Sequence, residues 1–290
     1  VSNWQIEALQ NHVIKLTLEY DSSLDTRRIC ILSDIHWDNA HCRLDILADV
    51  LDKAKKDNIP VCIFGDFFCA MQGRWDKRAD QDQLRDEHRG NNYLDKLVDT
   101  ATQWFEPYKD VLALVTLGNH ETKIHQHHQT NLIDRFSSNL RQKGSPLIYG
   151  PYWGFMLIRS KSSRTKKYWD CRKLHWHHGF GGGGEVGRGI SDHAKTRSQF
   201  DADIYVSGHI HRRNFDENII TTITAHGHIV KKQQLFIRCS TFKDEAKCTW
   251  HSEMGRGARP IGGWWLDFEM QKNIKSEKWY RFKQITPIMT

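Results

Sequence analysis

The sequence has nothing long enough to cross a bilayer: its longest apolar runs, such as 111–117, are strand-length. It has no CxxC pair, and its seven cysteines follow no regular spacing, which argues against a zinc ribbon. Cys30 and Cys62 lie inside apolar runs and read as small buried hydrophobes. Free thiols and a reducing, cytoplasmic setting are therefore expected. The opening VSNWQIEALQ lacks the basic-then-apolar pattern of a secretory leader. There is no internal repeat, low-complexity tract or proline- and glycine-rich linker. The expectation is one domain over 1–290 and no membrane partner.

What the sequence does have is core-forming residues, basic charge and histidine. Hydrophobic residues make up 39%, enough for a real core. A net charge of +7 favours polyanionic partners, DNA or RNA among them, although scattered basic residues also serve solubility. The densest basic cluster, 161–167, reads as a solvated loop. Most of the eleven tryptophans sit in apolar contexts and read as core, while a few near loops suit base stacking. Seventeen histidines is a high count, and most lie near Asp, Asn or Gly in turn-like settings. Imidazole is the commonest transition-metal ligand.

The first two-thirds alternate strand and helix patterns. Strands are expected at 12–20, 27–33, 61–64, 111–117, 154–160, 173–177 and 203–207. Helices are expected at 42–58, 83–105, 129–142 and around 190–200. The tail, 212–290, is β-rich and is expected to complete a second sheet. The fold class is α/β, with two packed sheets and helices outside. Residues 71–90 mix charge with one aromatic and form a possible substrate-facing insertion.

Five of these strands end in polar groups of one kind: Asp34-Ile35-His36, Gly65-Asp66, Gly118-Asn119-His120, His177-His178-Gly179 and Gly208-His209-Ile210-His211. Ligands bind beyond the carboxyl ends of strands in open α/β sheets. Glycine before Asp66, Asn119 and His209 permits tight turns there. Carboxylates, imidazoles and an amide oxygen suit a dinuclear site for borderline divalent metals such as Mn, Fe, Zn or Ni. Each piece alone is weak; the ordered set is specific.

That order of motifs, over about 34–211, resembles the calcineurin-like metallophosphoesterase superfamily. The glycine run after His178 is similar to phage-type members. The resemblance implies a four-layer fold of two mixed sheets flanked by helices. It also implies two divalent ions, manganese first among the options. Asp34, His36 and His211 would hold one ion, and Asp66 would bridge to the other. Asn119, His209 and a histidine of the HHG motif would complete the second set. An H-x-[G or P] pattern favours His177 and an H-G pattern His178; His177 is preferred here. His120 would stay off the metals and act as the catalytic residue facing the substrate. The implied reaction is attack on a phosphate ester by a metal-bridging hydroxide. A phosphodiester, as in a nuclease, is the leading substrate class. A phosphomonoesterase is the alternative, and a non-catalytic scaffold the third reading.

Arg43, Lys123, Arg188 and Arg212, with His41 and Arg213, lie next to motifs and are candidate phosphate contacts or plain surface charge. His125, His127 and His128 suit a helix surface better than a third metal. The pattern Gly179 to Gly184 matches a dinucleotide loop only weakly and reads as a loop beside the site.

Overall fold

The expected strands become two mixed sheets in the computed structural model, which describes residues 2–22, 24–71, 83–181, 189–247, 255, 257–272 and 278–288. The seven-stranded sheet contains β1 (Trp4–Gln10), β2 (Val13–Tyr20), β7 (Trp153–Ser162), β8 (Tyr168–His177), β9 (Ile204–Ser207), β11 (Ile229–Arg238) and β10 (Asn214–Ile223), in that spatial order. The six-stranded sheet runs β13 (Lys278–Pro287), β12 (Trp264–Lys272), β3 (Thr26–Leu32), β4 (Val61–Phe64), β5 (Leu112–Thr116) and β6 (Ile148–Gly150).

Strands β3, β4 and β5 are parallel neighbours. Both of their faces are covered, which explains their near-continuous apolar sequence. Alternation assigns the faces. Ile29, Ile31, Cys62 and Phe64 meet Leu16, Leu18, Leu174 and Val206 of the other sheet. Cys30, Leu32, Val61 and Ile63 face the opposite way, toward α1 (Leu44–Asp57), α2 (Tyr93–Phe105) and α4 (Leu132–Gln142). On the outer face of the seven-stranded sheet, α5 (Ile190–Gln199) stacks His193 on Phe236 at 4.8 Å. The layers are helix, sheet, sheet, helix. No helix among the described residues is long and apolar enough to cross a membrane.

Three expectations need correction. The helix expected from residue 83 starts only at Tyr93, because Gly90 and Asn92 take left-handed backbone (φ 96° and 62°) and break it. The helix expected from 129 starts at Leu132; Gln129 instead ends a helix the pattern did not show, α3 (Asn119–His128). That helix buries only Glu121 and Ile124, too little for an apolar period. The tail does not complete one sheet. Its β10 and β11 extend the seven-stranded sheet, and β12 and β13 extend the six-stranded one. Of the proposed insertion at 71–90, residues 72–82 lie outside the described set. Of the rest, Leu84 is buried and bridges Asn39 and the Gln83 carbonyl accepts from Ala40 N, while Asp86, Glu87, Arg89 and Gly90 are exposed.

Candidate metal centre

The carboxyl ends of β3, β4 and β5 in one sheet and of β8 and β9 in the other open on the same place. β8 and β9 are themselves parallel neighbours. The loops that follow are tied together by backbone: Asp34 N donates to Gly65 O at 3.0 Å, His36 N to Asp66 O at 3.1 Å, and Gly208 N to His178 O at 2.8 Å.

Two groups of ligand atoms result. Asp34, His36 and His211 form one, and Asp66, His178 and His209 the other; within each, the ligand atoms lie within 4.8 Å of one another. His36 Nε2 and His211 Nε2 face each other at 3.1 Å, and His211 Nε2 is 3.2 Å from Asp34 Oδ1. His178 Nε2 is 3.1 Å from Asp66 Oδ2 and 4.0 Å from Asp34 Oδ1, so it joins the groups. Asn119 Oδ1 lies 2.7 Å from His209 Nδ1 and 3.2 Å from His178 Nε2. Buried carboxylates, imidazoles and an amide oxygen are the donor set of a borderline divalent ion, and the residues fit such ions.

The preference for His177 is not met. His178 enters the cluster, whereas His177 accepts from Gly179 N and lies edge-on to Tyr152 and Phe180. Strand alternation is the reason: consecutive residues leave β8 in different directions.

Burial and charge shape the protonation of the metal-free chain. Burial opposes a charge on His178, but Asp66 and Asp34 outweigh it and raise its pKa to about 9. Burial likewise opposes a charge on His211, yet hydrogen bonds to Asp34 and Glu245 raise it to about 10. Burial would push Asp66 up, but His178 and His120 hold it well below the carboxylate range.

The backbone is strained at the candidate ligands. Asp34, His36, Asp66, His209 and His211 all have left-handed φ, between 48° and 72°. Non-glycine residues adopt this region at a cost of about 1–3 kcal/mol each. The expected role of the glycines is met only at Gly65, with φ 83°. Gly118 and Gly208 are needed for space instead. A Cβ on Gly118 would sit 2.1 Å from Asp66 Oδ1, and one on Gly208 2.1 Å from Ser33 Oγ and 2.3 Å from Asp34 Oδ2. Gly208→Ala is expected to displace Asp34 and destabilise the fold by about 1–3 kcal/mol. Thermal melting and ion content check it; an unchanged melt with full metal loading would contradict the close-packing account.

Several residues hold the candidate ligands in place. Glu121, buried, accepts from Phe68 N at 2.8 Å and Gly118 N at 2.9 Å, clamping the β4 and β5 loops together. Burial, and then Asp66, raises its pKa to about 8. His209 Nε2 donates to Gly181 O at 2.9 Å, which gives the glycine run its visible role; 182–184 lie outside the described residues. Sequence reasoning missed Glu245. This carboxylate is buried in the tail and accepts from His211 Nδ1, while the preceding turn holds Asp34 O through Thr241 Oγ1 (2.8 Å) and Phe242 N (3.0 Å). No motif marks it; 35 residues of chain separate His211 from Glu245, counting both. Carboxylates behind a ligating histidine fix its tautomer and raise its basicity. Glu245→Gln is expected to weaken metal binding about 10–100-fold, read by chelator competition; unchanged affinity would reduce Glu245 to a packing role.

His120 stands at the rim of the cluster, on the N-terminal turn of α3. Its backbone N–H donates to Asp66 Oδ1 at 3.0 Å, and its Nδ1 donates to Cys69 O. That bond turns Nε2 toward the cluster, 3.7 Å from Asp66 Oδ2. The candidate phosphate contacts fare differently. Arg43 pairs with Asp45 at 2.6 Å, Lys123 is exposed on α3, Arg212 is half-buried beside His211, and Arg188 lies outside the described residues. Arg213 donates to Ile288 O at 2.6 Å. His125, His127 and His128 are exposed on the last turns of α3.

The calcineurin-like phosphoesterase family matches residues 27–213 of the chain. No curated protein matches. Among solved structures, a Staphylococcus aureus protein described as a 5'-nucleotidase, in complex with alpha-ketoglutarate, is 14% identical with a TM-score of 0.41; the alignment covers 92% of this chain and 55% of that one. This chain thus spans little more than half the length of that protein. GAP50 of Plasmodium, the anchor in the inner membrane complex, is 11% identical, with a TM-score of 0.37 and coverage of 90% and 89%. A metallophosphoesterase from Sphaerobacter thermophilus is 13% identical, with a TM-score of 0.32 and coverage of 84% of each chain.

Proposed function

The chain belongs to the calcineurin-like phosphoesterase family, a family of metal-dependent phosphoester hydrolases, and from that premise we propose that it cleaves phosphodiesters, nucleic acid foremost, at a dinuclear centre. The observation that carries the reading is the convergence of two ligand groups, joined by His178 lying between Asp34 and Asp66. In this reading Asp34, His36 and His211 hold one ion. Asn119, His178 and His209 would hold the other, with Asp66 shared between them. Manganese is the ion to try first. Bound there, such ions supply Lewis acidity and an activated water.

The chain's own groups do the rest. His120 Nε2 is positioned to hold the proton that the leaving oxygen needs, since Nδ1 is committed to Cys69 O. At the α3 N-terminus the His120 backbone N–H donates to Asp66 Oδ1, favouring negative charge at that point. The overall charge of +7 draws a polyanionic substrate toward the molecule.

Metal uptake must displace the protons held on His178 and His211. Apparent affinity is therefore expected to rise with pH through neutrality and to level off near the pKa values of about 9 and 10. The stability of the metal-free chain runs the other way. Both pKa values exceed the ordinary histidine value, so their contribution is full below about pH 6.5 and fades as pH climbs through 9 to 10. Calorimetric titration with Mn²⁺ in buffers of different ionisation enthalpy reads the released protons; pH-independent binding contradicts the assignment.

Hydrolysis of bis-p-nitrophenyl phosphate and p-nitrophenyl phosphate, with Mn²⁺ and then EDTA, tests the function. EDTA-sensitive cleavage of the diester is expected. Cleavage of the monoester alone makes the protein a phosphatase, and no cleavage of either by metal-loaded protein leaves the scaffold reading.

A further inference from the structure

One group of donors remains beyond the two assigned above. His36, Cys69 and His120 each present a ligand atom, and the three atoms lie within 4.8 Å of one another. Cys69 is the one cysteine in any such group among the described residues. It is 3% exposed, and the chain around it is pinned. The Asp38 carboxylate accepts from Cys69 N at 2.6 Å, from Ala70 N at 2.9 Å and from the Tyr93 hydroxyl at 2.7 Å. The Asn39 amide reaches the sulfur at 3.6 Å. Because His120 Nδ1 donates to the Cys69 carbonyl, the thiol and the His120 ring are carried as one unit. His36 is 2% exposed, and its Nδ1 is buried with no hydrogen-bond partner. A four-coordinate ion needs ligand atoms about 3.5 Å apart, so side-chain shifts of about 1 Å close this triad.

We propose that His36, Cys69 and His120 form a further cation site, selective for a thiophilic divalent ion such as Zn²⁺, and that filling it inhibits the enzyme. Sulfur and imidazole prefer zinc or cobalt over manganese or magnesium. The ion binds the thiolate, and the thiol proton leaves to solvent; no electrons are exchanged. Occupancy withdraws His36 from the Asp34 group and His120 from the leaving oxygen. The effect on turnover rests on the hydrolytic reading above, whereas the site itself rests on the three donors alone.

Cobalt alone separates the two. Co²⁺ added to the metal-depleted full chain is expected to produce an intense thiolate-to-cobalt charge-transfer band. Cys69→Ser should lose that band and keep the weaker visible bands of cobalt bound by nitrogen and oxygen. With Mn²⁺-loaded protein and bis-p-nitrophenyl phosphate, Cys69→Ser should need at least about tenfold more Zn²⁺ for half-inhibition than the wild type. Protection of Cys69 from iodoacetamide by Zn²⁺, mapped by mass spectrometry on the wild type, is the arm that needs no variant. Wild-type protein that binds cobalt without the band, alkylation indifferent to Zn²⁺, or equal Zn²⁺ inhibition of both proteins would each overturn the proposal. If neither ester is cleaved, the band still decides the site.

Discussion

Asp66→Asn is expected to give a folded protein that no longer retains two divalent ions and cleaves bis-p-nitrophenyl phosphate at least about 100-fold more slowly. The substitution keeps the shape of the side chain. An amide oxygen at Oδ1 can still accept the His120 N–H, now at 3.0 Å, so the start of α3 stays tied to the β4 loop. What is lost is charge. Asp66 is 1% exposed and 3.1 Å from His178 Nε2, and removing one partner of a buried charged pair costs about 3–5 kcal/mol. On the proposed reading the same carboxylate would be shared by both ions, so its neutralisation is expected to weaken both. Circular dichroism, ion content by mass spectrometry and turnover together check the prediction. A variant holding two ions per chain, or turning over at near the wild-type rate, would remove Asp66 from the bridging position.

How much of this centre could be read from the sequence depends on distance along the chain. Asp34, His36, Asp66, Asn119, His209 and His211 each follow an apolar strand, and the structure brings all six together because parallel strands share a direction. The continuous apolar runs at 27–33 and 61–64 likewise marked β3 and β4 as strands buried on both faces. The choice between His177 and His178 was not legible, because it turns on how the chain leaves β8, over a single residue. Glu245 was not legible either. Its role comes from a long-range approach of 3-10 helix 245–247 to His211, and an isolated Glu in a polar stretch carries no pattern. Helix α3 was hidden because its sequence is set by the site rather than by a core. Its first turn supplies Asn119, His120 and Glu121, and only Ile124 packs as an apolar helix residue. The left-handed backbone at five ligands runs against residue preference, so local propensity could not announce it. Strain of this kind persists where surrounding contacts over-determine the chain, and here they do: Asp34 alone is held by Gly65 O, Phe242 N, Thr241 Oγ1 and the His209 N–H.

His120→Ala is expected to do the opposite of Asp66→Asn: ion content unchanged, turnover down about 10²–10⁴-fold. The imidazole belongs to neither the Asp34 group nor the Asp66 group, so its removal costs no ligand of either. The contact that ties α3 to Asp66 is made by the His120 backbone and survives truncation of the side chain. On the proposed reading the lost function is the proton at Nε2. That loss should depend on the leaving group: an alkyl ester, whose alkoxide needs protonation, should suffer more than a p-nitrophenyl ester, whose phenolate leaves unaided. Comparing the two esters under one Mn²⁺ concentration distinguishes proton donation from general disturbance of the site. Equal losses on both esters would make His120 an electrostatic neighbour of the phosphate rather than its acid, and loss of bound ions would return it to the metal shell.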